Sequence, residues 1–290
     1  MNRDNFKYYI ELTKPGITTM VLVTTTIGFL LADLYNIKII NLFITLIGTY
    51  LTCAGSAALN HYLEKDLDCL MNRTSKRPLP LKKISSVNAL NFGLILIIIG
   101  VVILFFFINL LTAFLALLTA FLYVLVYTPL KKISWTNTII GAIPGALPPL
   151  GGWTAQSGQI GFGGLVLFLI LFIWQHPHFY SIAWMYKDDY KKAGLIMLPS
   201  VNNGESLLFK QVLWFSILLV PVTILLFYTS SLTIFYLIGS VLLSFYMLWY
   251  GVGFYNKKDN ISAKKLLKAS IFYLPLWFLL VFIDITLKFI

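Results

Sequence analysis

The sequence predicts an all-α polytopic membrane protein of nine transmembrane helices, and three observations carry that expectation. Hydrophobic residues make up 59% of the 290 and charged residues only 11%, where a soluble domain carries roughly 25% charged residues. The apolar residues fall in long blocks, with neither the alternation of a strand nor the amphipathic stripe of a soluble helix, and a bilayer core needs ~20 consecutive apolar residues per helix. Drawing nine spans also sorts the basic residues to one side of the bilayer, which a wrong count would scramble.

Taken in order, the spans are approximately 15–34, 39–60, 87–108, 110–128, 136–153, 160–181, 207–228, 231–252 and 268–288. Arg3, Lys7 and Lys14 precede the first. The second runs into a polar stretch, about 64–86, that holds Lys65, Arg73, Lys76, Arg77, Lys82 and Lys83. Spans 3 and 4 are apolar throughout and turn at Asn109; merging them would give a run of about 40 residues, twice what a bilayer accommodates. Lys131 and Lys132 follow span 4. Span 5 contains the Gly/Pro-rich segment from Gly141 to Trp153. Small residues let membrane helices approach closely and prolines remove backbone donors that neighbours must compensate, so this span reads either as a tightly packed, kinked helix or as a broken helix lining a substrate. Span 6 leads into a second long loop, about 182–206, with Lys187, Lys191 and Lys192, and Lys210 lies just beyond it. Spans 7 and 8 turn near Thr229–Ser231, and Lys257, Lys258, Lys264, Lys265 and Lys268 separate span 8 from span 9. Of the 22 basic residues, all but Lys38 and Lys288 then lie on one side. The positive-inside rule places that side, and the N-terminus, in the cytosol and the C-terminus outside. The net charge of +11 is thus a membrane-topology signal, not a nucleic-acid-binding one.

Residues 1–290 are expected to form a single transmembrane domain. Cys53 reads as a packing residue and Cys69 as a free cytosolic thiol, with no metal-ligand spacing between them. The stretch before span 1 is too short for a transit peptide and no cleavage-site pattern follows a short apolar core, which favours a prokaryotic plasma membrane.

The strongest chemical signal is at the end of span 2, in Asn60-His61-Tyr62-Leu63-Glu64-Lys65-Asp66-Leu67-Asp68. Ionisable groups at a membrane helix end read as functional by default. At about 100° per residue, Asn60, Glu64 and Asp68 form one stripe about 12 Å long, and Asp66 points away from it if the helix persists. Three oxygen-bearing side chains on one stripe suit Mg²⁺, which takes one or two carboxylates plus substrate phosphates; the alternative is a solvated helix terminus. Arg73 and Arg77 follow, four residues apart, and guanidinium groups match phosphate oxygens bidentately. Alone they would be positive-inside anchors. Beside the carboxylates they make a site for a metal diphosphate.

A second centre is Trp174-Gln175-His176-Pro177-His178-Phe179, followed by Lys187-Asp188-Asp189-Tyr190-Lys191. Pro177 can kink the span, and without a kink the two imidazoles point about 200° apart. Each histidine is either a hydrogen-bonded structural residue or a ligand. Asp188 and Asp189 either complete a second metal site or pair with the neighbouring lysines at the surface. Most of the aromatic residues, 16% of the chain, belong to lipid-facing or interfacial belts; a few lining a pocket would stabilise a carbocation through their π faces.

The run from Asn60 to Pro80 resembles the first motif of the UbiA superfamily of intramembrane prenyltransferases: an Asn, acids four and eight residues later, then Arg-Thr-x-x-Arg-Pro-Leu, matched here by Asn60, Glu64, Asp68, Arg73, Thr74, Arg77, Pro78 and Leu79. Glu64-x-Asp66-x-Asp68, Tyr127-Thr128-Pro129-Leu130, Gly141 to Trp153, Trp174-Gln175-x-Pro177-His178-Phe179 and Asp188-Asp189-Tyr190-x-x-Ala193-Gly194 are similar to the branch that prenylates haem. The likeness covers about residues 10–205; beyond them it is one of hydropathy. Many members carry a second Asp-x-x-x-Asp pattern on span 6, where this chain has His178 and no carboxylate before Asp188.

The resemblance implies nine helices around a central cavity capped by the two inner loops. It implies farnesyl diphosphate as prenyl donor, with Mg²⁺ held by Asn60, Glu64 and Asp68; Asp188 and Asp189 remain the candidates for a second metal. Arg73, Arg77 and Lys191 would bind diphosphate. Haem B is the implied acceptor, bound as substrate through His178, with His176 or His61 as alternatives, with haem O as product and a downstream haem-oxidising enzyme as partner. Two other functions fit parts of the sequence: a prenyltransferase acting on an aromatic acid or quinone precursor, and a secondary transporter, whose sites also use broken helices. A transporter keeps its polar residues near the midplane, whereas here they gather at one helix end.

Overall fold

The computed structural model describes residues 3–288, with side chains from residue 6, and among them every regular element is helical. The helices are α1 (Arg3–Leu12), α2 (Pro15–Ala32), α3 (Ile39–Asp68), α4 (Ser86–Phe107), α5 (Leu110–Leu130), α6 (Asn137–Ser157), α7 (Phe162–Met185), α8 (Lys187–Lys192), α9 (Gly204–Thr229), α10 (Ile234–Lys257) and α11 (Asn260–Leu287). Eight of these are long and apolar enough to cross a membrane: α2 to α5, α7 and α9 to α11. Helix α6 is the ninth long helix. It falls short of a lipid-facing span in apolarity because its glycines, prolines and polar ends suit a helix packed inside the bundle, where most of its side chains are buried.

The sequence-based bounds hold in the apolar stretches and fail where helices outrun them. Helix α3 continues eight residues past the expected end, from position 60 to Asp68, and α7 continues to Met185. Hydropathy marks only the part of a helix that hydrocarbon surrounds, and both helices go on into the polar loop end. The two long loops are correspondingly shorter than expected, 69–85 and 186–203, the second containing α8 and a short 3₁₀ turn.

Close backbone approach draws the bundle together at two seams. Gly48 and Gly55 on α3 face Gly100 and Gly93 on α4, and a Cβ on Gly55 would stand 2.5 Å from the Gly93 carbonyl oxygen. Between α2 and α6 the fit is tighter: a Cβ on Gly152 would come within 1.9 Å of the Thr25 oxygen, and one on Gly28 within 1.9 Å of the Pro149 oxygen. The Gly/Pro segment is one continuous helix and not a broken one: one face packs against α2, while Gly141, Pro144 and Pro148 turn to a cavity.

The two long loops meet over one end of the bundle, where Met71 packs with Ala193 and Leu195. The Ile196 amide donates to the Lys131 oxygen at 2.8 Å and Asn137 Nδ2 to the Ile196 oxygen at 2.9 Å, tying the second loop to the ends of α5 and α6. At the opposite end, Asp284 of α11 is fully buried and caps α10. Its carboxylate accepts from the Thr233 amide at 2.9 Å, the Tyr236 amide at 3.0 Å and the Thr233 hydroxyl. These are among the donors that a helix N-terminus leaves unsatisfied, supplied here by a neighbouring helix.

Candidate active site

A cavity of about 640 Å³ runs through the bundle from beneath the two loops into its apolar interior. Residues of α3 from Thr49 to Asp68 line it on one side at helical spacing, a strip of nearly thirty ångströms at 1.5 Å rise. Ile17 and Met20 of α2 and Ile271 of α11 line the cavity and are also exposed on the bundle surface, so its mouth opens sideways between those helices.

Because α3 stays helical to Asp68, the stripe expected from spacing exists. Asn60, Glu64 and Asp68 are all buried and all line the cavity, while Asp66 is exposed on the other face. Each residue of the stripe meets a cation from a different element. Lys14 Nζ donates to Asn60 Oδ1 at 2.6 Å, Lys131 Nζ to Glu64 Oε1 at 2.7 Å, and Arg77 Nη1 to both Asp68 oxygens at 2.8 Å. Asn60 is further fixed by donating to Thr128 Oγ1 at 3.1 Å.

Two of these cations, Lys14 and Lys131, carry no sequence signal beyond that of membrane topology. Lys14 sits at the start of α2 with φ 49° and ψ 64°, a left-handed conformation that costs a non-glycine residue about 1–2 kcal/mol. Its ammonium contacts Asn60 and, at 3.3 Å, the Tyr123 hydroxyl. Burial, and then the nearby Arg77 guanidinium, lower Lys14 to about 7, with Glu64 acting in the opposite sense.

Lys131 owes its place to a local irregularity. Residues Leu122–Tyr127 form a π-helical turn within α5. Pro129 follows; it has no N–H to donate back along the helix and its ring crowds the carbonyl four residues earlier. Such turns concentrate at functional sites. This one stacks Tyr123 and Tyr127, ring centroids 5.6 Å apart, on the cavity wall. Lys131 Nζ then lies 4.5 Å from the Tyr127 ring.

The other expected site residues divide. Arg73 is exposed at the cavity lip, 5.5 Å from the Tyr186 ring. His178 lines the cavity; its Nδ1 is 2.8 Å from Ser270 Oγ, and its ring stacks on Trp174 with centroids 5.1 Å apart. His176 does not reach the cavity. Pro177 leaves α7 unbroken, so the two histidines point to opposite sides, and His176 is fully buried against Phe215 with Nδ1 2.7 Å from the Phe172 oxygen. His61 is buried as well, with neither ring nitrogen hydrogen-bonded, and is not part of the cavity wall. Asp188, Asp189 and Lys191 lie on α8 outside the cavity wall, with Asp188 and Lys191 exposed. They belong to a six-residue helix beyond the end of α7, of which Tyr190 does line the cavity.

The donor set fits a metal that arrives with its ligand. Asn60, Glu64 and Asp68 offer hard oxygens on one wall, but among the described residues no group of three or more His, Cys, Asp or Glu side chains is gathered to hold an ion. Mg²⁺ bound by one or two carboxylates takes its remaining ligands from water and substrate phosphate.

Comparison with known proteins agrees with this architecture. The model of the UbiA prenyltransferase family matches residues 21–279. A protein of Solibacter usitatus named protoheme IX farnesyltransferase is 41% identical over 285 residues, covering 95% of this chain and 98% of its own. One of the same name from Aquifex aeolicus is 39% identical, covering 97% and 96%. Among solved structures, a digeranylgeranylglyceryl phosphate synthase superposes with a TM-score of 0.79 at 21% identity, over 97% of this chain and 98% of its own. A UbiA homolog from Archaeoglobus fulgidus bound to DMAPP and Mg²⁺ superposes with a TM-score of 0.67 at 18% identity, over 94% and 98%.

Proposed function

This chain belongs to the UbiA prenyltransferase family, and we propose that it transfers the farnesyl group of farnesyl diphosphate to a vinyl group of protohaem IX (haem B), with addition of water, giving haem O and diphosphate. The observation that carries the proposal is the row of three buried acceptors, each already facing a cation, at the polar end of an apolar cavity whose wall includes an imidazole. The names of the relatives from Solibacter usitatus and Aquifex aeolicus support the choice of donor and acceptor.

Asn60, Glu64 and Asp68 would hold Mg²⁺, which offsets charge on the departing diphosphate. Arg77, Lys131 and Lys14 stand within reach of the same place, with Arg73 at the lip, and donate hydrogen bonds to the phosphate oxygens. Such preorganised donors act where charge develops in the transition state, and this is usually the largest catalytic effect. The farnesyl chain lies along the apolar wall. As the bond from its C1 to the diphosphate oxygen breaks, C1 bonds to the terminal vinyl carbon of haem. Water then adds to the inner vinyl carbon and loses a proton, leaving a hydroxyethylfarnesyl side chain. The stacked faces of Tyr123 and Tyr127 border the region where allylic positive charge appears. His178 binds the haem iron, imidazole being a common axial ligand, and the side opening admits both amphipathic substrates from the bilayer. His176, Asp188, Asp189 and Lys191 have no part in this scheme.

The polar end faces the cytosol of a prokaryotic plasma membrane, and the product passes to a haem-oxidising enzyme. Incubation of the purified protein with farnesyl diphosphate, Mg²⁺ and haem B should yield a product heavier by one farnesyl group and one hydroxyl group. A protein that prenylates 4-hydroxybenzoate and leaves haem unchanged would refute the acceptor. Uptake of a solute by proteoliposomes without a prenyl donor would refute the class.

A further inference from the structure

His178 faces the cavity from α7, and behind it stands a residue of α11 that does not line the cavity at all. Ser270 is fully buried and receives contacts from both ends of one turn of α7. Its backbone oxygen accepts from Trp174 Nε1 at 3.2 Å, and its hydroxyl oxygen is 2.8 Å from His178 Nδ1. Trp174 also stacks on the imidazole with 22° between the ring planes. The ring is therefore held in its plane by one neighbour and at its edge by the other.

The hydrogen count at Ser270 decides the state of the imidazole. A serine hydroxyl has one hydrogen to give. Ser270 Oγ gives it to the Leu267 carbonyl oxygen at 2.7 Å, and a carbonyl can only accept. Toward His178 the same oxygen has only lone pairs left, so Nδ1 must be the donor and carry the proton. A neutral imidazole protonated at Nδ1 has its free lone pair on Nε2. Since Ser270 lies behind the wall and His178 forms part of it, the Nδ1 edge is turned away from the cavity and the edge bearing Nε2 is the one presented. His176 shows the contrast. Its Nδ1 faces a carbonyl oxygen, that of Phe172, and so also carries the proton, but its Nε2 is sealed in the core without a partner.

We propose that Ser270 is a positioning residue for acceptor binding, fixing His178 as the tautomer whose Nε2 lone pair is free to coordinate the iron of a haem substrate. The inference rests on the assignment of His178 to haem made above. A ligating imidazole that donates its other N–H is held in orientation and made more basic by that bond, and losing such a partner typically lowers metal affinity 10- to 100-fold.

The test is titration of the detergent-purified full chain with haem, followed in the Soret band, with thermal protection by farnesyl diphosphate as the check of folding. Wild-type protein should give a shifted Soret band that His178→Ala abolishes. Ser270→Ala should keep protection by farnesyl diphosphate but bind haem about tenfold more weakly with an altered band, and Ser270→Thr, which keeps the hydroxyl, should restore both. If Ser270→Ala does not fold, Ser270→Cys replaces it, since a thiol is a weak acceptor of similar shape. A serine variant lacking the hydroxyl that matches wild type in affinity and spectrum, while His178→Ala loses the band, overturns the role of Ser270 and leaves His178 in place. A His178→Ala protein that binds haem as wild type does removes the assignment of His178 to the iron, and this inference with it.

Discussion

Replacing Lys14 with methionine should remove a pH dependence of prenyl diphosphate binding that the wild-type protein carries. Burial beside Asn60 and near Arg77 lowers the Lys14 ammonium to about 7, so at pH 6 the group is charged and at pH 9 almost entirely neutral. A diphosphate placed against it restores the charge, so that binding takes up a proton once the free site has lost one. Each pH unit above 7 then costs about 1.4 kcal/mol, or tenfold in affinity, to a ceiling of about a hundredfold between pH 7 and pH 9. In the unliganded protein the same shift acts on stability. The unfolded chain keeps this proton up to its ordinary value of 10.5 while the folded chain releases it near 7; the penalty is thus complete below 7 and relieved as pH rises through that window. The assay is equilibrium binding of an unreactive thiolo-diphosphate analogue of the donor from pH 6 to 9. The ligand's own phosphate titration is common to both proteins and cancels in their ratio. Lys14→Met should bind more weakly at pH 6 and converge on wild type at pH 9. Parallel pH curves for the two proteins would refute the reasoning, because Lys14 would then be charged or neutral throughout.

The remaining predictions concern the pairing, the packing and the orientation. Glu64→Gln and Lys131→Met each strand one member of a buried ion pair, which costs about 3–5 kcal/mol, so each should lower the apparent unfolding temperature. The double variant should recover part of that loss, with turnover down at least about a hundredfold in all three; an additive double variant would show the two groups to be uncoupled. Gly152→Ala sets a Cβ 1.9 Å from the Thr25 oxygen and should destabilise the protein markedly, whereas Gly253→Ala, with nothing within 4 Å, should not; equal melting points would disprove the close seam. A cysteine at the exposed Gln159 should react with an impermeant thiol reagent from outside intact cells and one at Lys76 only after permeabilisation. The reverse pattern would invert the orientation.

The sequence made legible what depends on one helix at a time. Asn60, Glu64 and Asp68 could be placed on one stripe because residues four apart share a helix face, and the persistence of α3 to Asp68 was the only added condition. The opposed directions of His176 and His178 were likewise implied by helical geometry, given that Pro177 leaves α7 continuous. What stayed hidden depends on contacts between elements. Lys14 and Lys131 are lysines at the ends of spans, as membrane topology would require of any such protein, and only the packing of α2 and α5 against α3 brings them to Asn60 and Glu64. The π-helical turn has Pro129 as its one sequence trace, and a proline near a span end has several possible consequences. Asp188 and Asp189 stand off the cavity wall while their neighbour Tyr190 is on it, a division set by how the short helix after Met185 packs and not by spacing along the chain. Ser270 had no sequence signal, since a serine in a membrane helix most often bonds its own backbone, as this one also does.

The cations set against the Asn60, Glu64 and Asp68 stripe imply a rule of charge neutrality for whatever enters. Two carboxylates facing two lysines and an arginine leave the buried part of the site, Arg73 at the exposed lip aside, with a small positive excess, largest when Lys14 is protonated. A prenyl diphosphate accompanied by one divalent cation is a net anion and cancels that excess. The same ligand with two divalent cations is not, and would add positive charge to a region where water cannot spread it. On the proposed reading the lysines would take the place of a second metal, and loading should proceed as an exchange of partners, with Lys131 and Arg77 passing from carboxylate to phosphate as the metal takes the carboxylates. If the proposed site is right, a single divalent ion per donor should saturate the enzyme and excess metal should inhibit it.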